Sequence, residues 1–393
     1  MSVPEKDEFE WGKEITMNKH RLWLCVLLVV AVPMTALSVG QKRYPVVMEV
    51  KDGVKTVTNP DFPRDGRFVA KLTQEMSCGE EGGAPAGVLN KPLRLDVDAQ
   101  GNIYVMDYGD VNIKVYDGQG HFLRAIGRQG QGPGEFGGMV FFNLMSGNRI
   151  GVLDFIQHRV IILSTDGRLV SGFPLKDFFA TLAVDGHDRI FLGKHEAAKE
   201  LDKLSTDFQE IPYVTSIFRT DMTGKELVHL TDFLGESMVM KATGGGGVAS
   251  VGGLYTIVWT VGSGGRLYGG YNLGYNVGVF DEQGNKELAF GRDFTPVKNP
   301  RFKGMTGQKK SMPAYRSIIL DEAENLWIEL YQAEGAKGVL YDVFSPEGIY
   351  TKQVSTAQRV SVFKNGKVYS LLRPEEGYPS IKRYKMELVP SGK

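Results

Sequence analysis

The chain has 393 residues, with 46 basic and 46 acidic side chains, 49 glycines and 2 cysteines. This length is enough for several domains or for one large repeat fold. The hydrophobic fraction of 42% excludes a disordered chain. Zero net charge argues against a nucleic-acid-binding protein, and two cysteines exclude a disulfide scaffold.

An apolar run near the N-terminus, LWLCVLLVVAV at Leu22–Val32, indicates an export signal. Basic residues precede the run and small residues follow it, which is the pattern of a secretory signal peptide. The run is shorter than the roughly 20 residues that span a bilayer. We therefore expect an N-terminal extension and signal over residues 1–40, a lead-in segment over 41–66 and an extracytoplasmic protein. The alternative is that this segment is an uncleaved membrane anchor. In that case the rest of the chain is also exported.

One short motif recurs six times: a turn with Gly, Asn or Asp, then an apolar residue, then usually an aromatic one. The aligned position holds Tyr104, Gly151, Phe191, Tyr268, Trp327 and Tyr369. A strand-like run precedes each turn, and a second strand–turn–strand pattern, as in VYDGQGHFL at Val115–Leu123, follows the first. Six four-stranded units in tandem predict an all-β fold, a six-bladed β-propeller of antiparallel blades. We expect the aromatic side chains to pack between blades.

The last unit has no second hairpin before the chain ends. Its final strand is predicted at Ile381–Leu388, and an N-terminal strand at Arg67–Thr73 is predicted to complete that sheet and close the ring. The propeller then covers residues 67–390. The widest gap between units follows Phe191, and we interpret it as two insertions. His195–Leu204 has the periodicity of a short helix, and Thr243–Gly253 is a glycine-rich flexible stretch.

The first unit carries a more specific pattern. DAQGNIYVMDYGDVNIKVYDGQGHFLRAIGRQGQGPGEF at Asp98–Phe136 closely resembles an NHL repeat. The lead-in Asp52–Pro63 also looks like that of exported bacterial six-bladed propellers. The resemblance to NHL-repeat and TolB-like propellers implies six blades. It also implies structural roles for Asp107, Asp154 and Arg159. The glycine-rich loop at Gly127–Phe136 is expected to place the ring of Phe136 at a blade interface.

Some propellers of this group are enzymes, which bind Ca²⁺ through Glu, Asn and Asp or hold zinc with His. The histidines after the signal have no spacing typical of zinc sites; they are His121, His158, His187, His195 and His229. Asp96 and Asn143 on inner strands are candidate oxygen ligands, without convincing partners in other blades. The sequence predicts no catalytic residue and no cofactor. If the protein is an enzyme, Ca²⁺ is the metal ion that the channel could bind. The lone Cys78 is expected to act as a small apolar side chain.

Three arginines occupy nearly the same place in their units. Arg94 and Arg359 lie ten residues before the aligned aromatic, and Arg316 lies eleven before it. If these positions open onto the channel mouth, three guanidinium groups converge on an anion, with Asn143 nearby. The alternative is that the arginines pair with blade carboxylates such as Asp96.

These patterns favour an exported binding module for a protein, peptide or glycan partner, with loops and the two insertions carrying recognition. The alternative is a metal-dependent (Ca or Zn) enzyme of lactonase or lyase type with its site in the central channel. A structural module of an envelope assembly is a third hypothesis, since a fold alone does not define function. No nucleic-acid partner is expected, and membrane contact is expected only through an uncleaved signal anchor.

Overall fold

The computed structural model describes residues 46–80, 84–197, 207, 209–242, 248–251, 256–300 and 310–391. The predicted export signal over residues 1–40 lies outside these ranges. Within them, none of the helical segments has the length and apolar character needed to cross a membrane.

The described chain begins with a hairpin and one long strand. These strands are β1 (Val47–Lys51), β2 (Val54–Asn59) and β3 (Arg67–Cys78). Asp52 and Gly53 form the hairpin turn with positive φ, the geometry that short hairpins favour. A 3-10 turn at Pro85–Gly87 then leads into the first blade.

The six blades follow in chain order. Blade one holds β4 (Pro92–Val97), β5 (Ile103–Asp107), β6 (Asn112–Tyr116) and β7 (Phe122–Ile126). Blade two holds β8 (Phe141–Met145), β9 (Arg149–Asp154), β10 (Arg159–Ser164) and β11 (Leu169–Pro174). Blade three holds β12 (Thr181–Val184), β13 (Ile190–Ala197), β14 (Gln209–Thr220), β15 (Val228–Ala242) and β16 (Val248–Val251).

Blade four holds β17 (Ile257–Val261), β18 (Leu267–Tyr271), β19 (Asn276–Phe280) and β20 (Lys286–Arg292). Blade five holds β21 (Tyr315–Leu320), β22 (Leu326–Leu330), β23 (Val339–Phe344) and β24 (Tyr350–Thr356). Blade six holds β25 (Val362–Lys364), β26 (Lys367–Leu372) and β27 (Ser380–Pro390), with β3 as its fourth strand. Neighbouring strands within each blade are antiparallel, as the meander pattern predicts.

The N-terminal strands join the outer edges of three blades. β3 pairs antiparallel with β27, with Phe68 opposite Pro390 and Ile381 opposite Cys78, so the pairing predicted for the two ends of the chain is present. β3 also runs parallel to β24 of blade five, and β2 runs parallel to β20 of blade four. These pairings satisfy strand edges that would otherwise be open.

The inner strands follow one another around the axis. β4 packs beside β8, β8 beside β12, β12 beside β17 and β17 beside β21, while β25 packs beside β4. The turns after the inner strands also bind their neighbours: Asn365 donates its backbone N–H to Glu322 at 2.8 Å and its side-chain amide to the carbonyl of Ala99 at 3.3 Å. Blade six therefore packs against blade one.

The repeated motif has the predicted geometry and packing. The turn of each copy contains a residue with positive φ: Gly101, Asn148, Asp188, Gly265, Glu324 and Asn365. The five aligned aromatic side chains are at most 3% exposed. Tyr104 lies in a core cluster with Phe142 of the next blade, and Trp327 lies with Val360 of the segment that leads into the next blade. Their predicted role as packing between blades is confirmed.

The helix predicted over His195–Leu204 is wrong for its first residues. His195–Ala197 continue β13 and pair with Tyr213–Thr215 of β14. The unusually long β14, of 12 residues, gives β13 a ladder of hydrogen bonds that outcompetes an isolated helical turn. Residues 198–204 lie outside the described chain. In the second insertion, Val248–Val251 form β16 on the edge of β15, and the remaining residues lie outside.

Candidate functional site

The candidate arginines lie on or next to the inner strands of blades one, five and six. Arg94 lies in β4, Arg316 in β21 and Arg359 shortly before β25. The register shifts between Pro92 and Arg94 in β4, and again across Arg316 in β21. Such bulges change the direction of nearby side chains. Two of the three arginines are therefore placed by a local irregularity of the sheet.

Arg316 and Arg359 converge on one carboxylate, that of Glu329 in β22. Nη2 of Arg359 lies 2.8 Å from Oε1 of Glu329, and Nε of Arg316 lies 3.4 Å from the same oxygen. Ser317 donates its hydroxyl to the other carboxylate oxygen at 3.1 Å. The Glu329 side chain is 4% exposed, whereas both arginines are 46% exposed. Each arginine therefore keeps donor groups toward solvent.

Glu329 was not predicted from the sequence. Asp96 was the expected competing carboxylate, but the ion pairs of Arg316 and Arg359 are with Glu329. A signal was present, because Glu329 interrupts the apolar strand LWIEL of blade five. The equivalent positions in blades one and two hold Met106 and Leu153. A charge at a position that is otherwise apolar is costly to bury without a partner, and here the partners are the two arginines.

Arg94 has a different environment. Its Nη2 donates to Oδ1 of Asn143 at 3.2 Å, and among the described residues it forms no ion pair. Asp96 is nearby, but its two oxygens accept the backbone N–H groups of Val97 at 2.8 Å and Leu144 at 3.0 Å. Burial lowers the pKa of Arg94, and Asp96 opposes this shift only in part. Arg94 is therefore a partly buried cation that uses one donor among the described residues.

A fourth arginine, Arg373, connects the two groups. It donates from Nε and Nη2 to the carbonyls of Pro92 and Leu93, both at 2.8 Å. Burial, and then repulsion from Arg359, lower the pKa of Arg373. Ion pairs join Arg316 and Arg359 through Glu329, Arg359 is close enough to repel Arg373, and Arg373 binds the backbone beside Arg94. The sequence analysis missed Arg373 because it follows the aligned aromatic instead of preceding it.

This arginine cluster, defined as Arg94, Arg316, Arg359 and Arg373, carries more positive than negative charge. Its carboxylates are Glu329 and Asp96. Arg316 also lies over the ring of Tyr331, with 4.6 Å from guanidinium carbon to ring centroid, which holds the planar group in place. An anion entering between the guanidinium groups would meet several preoriented donors.

The side chains of His121, His158, His195 and His229 contact nearby polar groups or aromatic rings. His121 contacts Asp117 at 3.0 Å, and His229 contacts Asp232 at 2.8 Å. Within the described ranges, no group of three His, Cys, Asp or Glu side chains is arranged to hold a metal ion. Ca²⁺ binding in the channel stays a prediction of the enzyme alternative.

The structural roles implied by the NHL resemblance are present. Asp107 accepts the backbone N–H groups of Asn90 at 2.7 Å and Lys91 at 2.8 Å. Asp154 accepts that of Gly137 at 2.9 Å and lies 3.8 Å from Nε of Arg159. Phe136 is fully buried between blades one and two. These residues fix the loops that connect the blades.

Comparison with known proteins agrees with this fold. Residues 92–202 match the model of a family described as DUF5128, a 6-bladed beta-propeller. A structure from Bacteroides fragilis, described as an exported protein, is 12% identical with a TM-score of 0.50 and covers 84% of this chain and 99% of its own. A member of the duf4221 family from Bacteroides vulgatus is 10% identical with a TM-score of 0.51 and covers 82% and 99%. The chain is a six-bladed β-propeller.

Other similarities are weaker. Virginiamycin B lyase from Staphylococcus aureus is 11% identical, covers 80% of this chain and 99% of its own, and has a TM-score of 0.41. That alignment is too loose to support an inference about activity. Comparison with curated protein sequences finds no match.

Proposed function

We propose that this propeller is an exported binding module that captures an anionic group of a protein, peptide or glycan partner at the mouth of its central channel. The observation that carries the proposal is Arg94, a partly buried guanidinium group whose only hydrogen-bond partner among the described residues is the neutral amide of Asn143.

The electrostatics of the arginine cluster support an anionic ligand. Arg359 and Arg373 repel each other, and burial disfavours the charge on both Arg94 and Arg373. A bound carboxylate, sulfate or phosphate group would relieve both effects, because it would supply the missing counter-charge in a partly desolvated place. Guanidinium groups suit this task since they bind such anions through paired, planar hydrogen bonds.

Two further observations support export and binding. The predicted signal over residues 1–40 directs the propeller out of the cytoplasm. The similar Bacteroides fragilis structure is described as an exported protein. A rigid ring of blades with charged side chains on or next to its inner strands suits recognition, because the donors need no rearrangement when the ligand arrives.

Calorimetric titration with citrate and with sulfate, at constant ionic strength set with chloride, tests the proposal. Wild-type protein is compared with Arg94→Gln and with the control Arg168→Gln, an arginine whose side chain is 86% exposed. We expect binding by wild type and the control, and at least a tenfold weaker Kd for Arg94→Gln. Urea unfolding in chloride verifies that Arg94→Gln is folded. Equal binding by Arg94→Gln and wild type would refute the proposal.

A further inference from the structure

A second concave site lies at the outer edge of the ring, where blades four and five meet the N-terminal strands. This rim cleft has a volume of about 550 Å³, and its lining includes Asp61, Arg67, Arg292, Asp293, Phe294 and Gln353. These residues come from four separate segments: after β2, the start of β3, the end of β20 and β24. The volume lies within the range of small-molecule sites.

The floor of the rim cleft is a rigid donor group. Arg292 donates from Nε to Asp342 at 2.6 Å and from Nη1 to the carbonyl of Asp293 at 2.7 Å. Its guanidinium group lies over the rings of Tyr275 and Tyr350, at 4.8 and 5.3 Å from their centroids. The Arg292 side chain is only 9% exposed, and among the described residues its Nη2 has no partner.

Asp342 cancels the charge of that donor. It is fully buried and also accepts hydrogen bonds from the hydroxyls of Tyr275 at 2.7 Å and Tyr350 at 2.6 Å. The floor therefore presents a fixed guanidinium N–H group with little net charge. Such a preorganised donor needs an acceptor on the ligand but does not require an anion.

The walls of the rim cleft hold unused groups of both signs. Asp61, Arg67 and Asp293 are exposed, and within the described chain their side chains form no hydrogen bond or ion pair. The carboxylates offer acceptors and the guanidinium group offers donors. An anion would be repelled by the two carboxylates, and a cation has no acceptor for the N–H groups of Arg67 and Arg292. A ligand that satisfies both needs neighbouring donors and acceptors without net charge.

We propose that the rim cleft binds a neutral saccharide. Each sugar hydroxyl both donates and accepts, so adjacent hydroxyls can bridge a carboxylate and a guanidinium group. Phe294, which is half-buried in the lining, supplies an apolar surface for the C–H groups of a sugar ring. The site is separate from the arginine cluster and does not depend on the function proposed for it.

An array of neutral, sialylated and sulfated oligosaccharides, probed with the labelled purified protein, tests this assignment. We expect wild type to retain at least one neutral oligosaccharide. Calorimetric titration with that oligosaccharide then compares wild type, Arg67→Gln, Asp293→Asn and the control Arg168→Gln. Both cleft variants are expected to bind at least tenfold more weakly than wild type, and the control to bind equally. Because Arg67 and Asp293 side chains are exposed and unpaired in the described chain, folding should be retained.

Three results would overturn the assignment. The first is an array on which no neutral oligosaccharide is retained, or on which only acidic ones are. The second is binding of the neutral oligosaccharide that neither Arg67→Gln nor Asp293→Asn weakens. The third is a loss of this binding in Arg94→Gln alone, which would place the saccharide at the arginine cluster. The rim cleft and the arginine cluster can thus fail independently.

Discussion

Replacing Asp342 with asparagine is expected to destabilise the propeller strongly. Asp342 is fully buried and accepts four hydrogen bonds, from Tyr275, Tyr350, Arg292 and Gln353. Asparagine keeps the shape but removes the charge and one of the two acceptor oxygens. The guanidinium group of Arg292 then stays buried without a counter-charge, because its side chain is only 9% exposed.

The expected cost follows from the kind of interaction that is lost. A hydrogen bond to a charged group contributes about 1.5–3 kcal/mol. Removing one member of a buried ion pair costs about 3–5 kcal/mol, since the remaining charge is unpaired. The two figures overlap, so we expect a loss of about 3–5 kcal/mol in the free energy of unfolding. That is a large share of the stability of a typical domain.

Urea unfolding followed by fluorescence and circular dichroism measures this loss. Asp166→Asn serves as the matched control: its side chain is 51% exposed, and we expect a change within about 0.5 kcal/mol. In the double variant Asp342→Asn with Arg292→Met, the loss in free energy of unfolding should be about 1–3 kcal/mol smaller than the sum of the losses in the two single variants. A loss below about 1 kcal/mol for Asp342→Asn, or strict additivity in the double variant, would show that Asp342 and Arg292 are not a stabilising buried ion pair.

Three further results are expected. Glu329→Gln frees Arg316 and Arg359 from their ion pairs, so citrate should bind roughly tenfold more tightly. The Coulomb attraction gained by the anion is about 2–3 kcal/mol, and the solvent exposure of the two arginines reduces it. Weaker citrate binding in calorimetry would contradict this prediction. Phe136→Ala should cost about 3–5 kcal/mol in urea unfolding, because the ring is fully buried; a cost below about 1 kcal/mol would show that it does not hold the blade interface. Burial raises the pKa of the Cys78 thiol to about 12, so in a Cys25→Ser background a thiol reagent at pH 8 should react only after unfolding. In the unfolded chain the pKa of the Cys78 thiol is about 8.5. The contribution of Cys78 to the free energy of unfolding is therefore complete below that pH and is lost between about pH 8.5 and 12. If the stability of Cys78→Ala has the same pH dependence as that of wild type, this prediction is wrong.

Much of the fold follows from local sequence. Strand alternation and turn residues act over a few positions, so the blade repeat and the burial of residues such as Tyr104 and Phe136 are visible without a structure. The predicted helix over His195–Leu204 failed at its start, because β14 offers a pairing that no local periodicity reveals.

The candidate sites depend on contacts between distant segments. Arg316 and Arg359 were identified from their position in the repeat. The charge of Glu329 at a position that is apolar in blades one and two is visible in the sequence, but its pairing with both arginines is not. The rim cleft was not predicted, because Arg292 and Asp342 meet only when blades four and five pack together. Residue spacing cannot indicate a site whose parts are brought together by tertiary packing.

Anomalous diffraction from crystals soaked in selenate tests whether the arginine cluster binds an anion, since it locates the anion. We expect a selenium peak in the central channel, with selenate oxygens about 3 Å from guanidinium nitrogens of Arg94 and of Arg359 or Arg373. The same peak should be absent from crystals of Arg94→Gln. Peaks confined to exposed lysine and arginine side chains, with none near Arg94, would show that the arginine cluster is not an anion site.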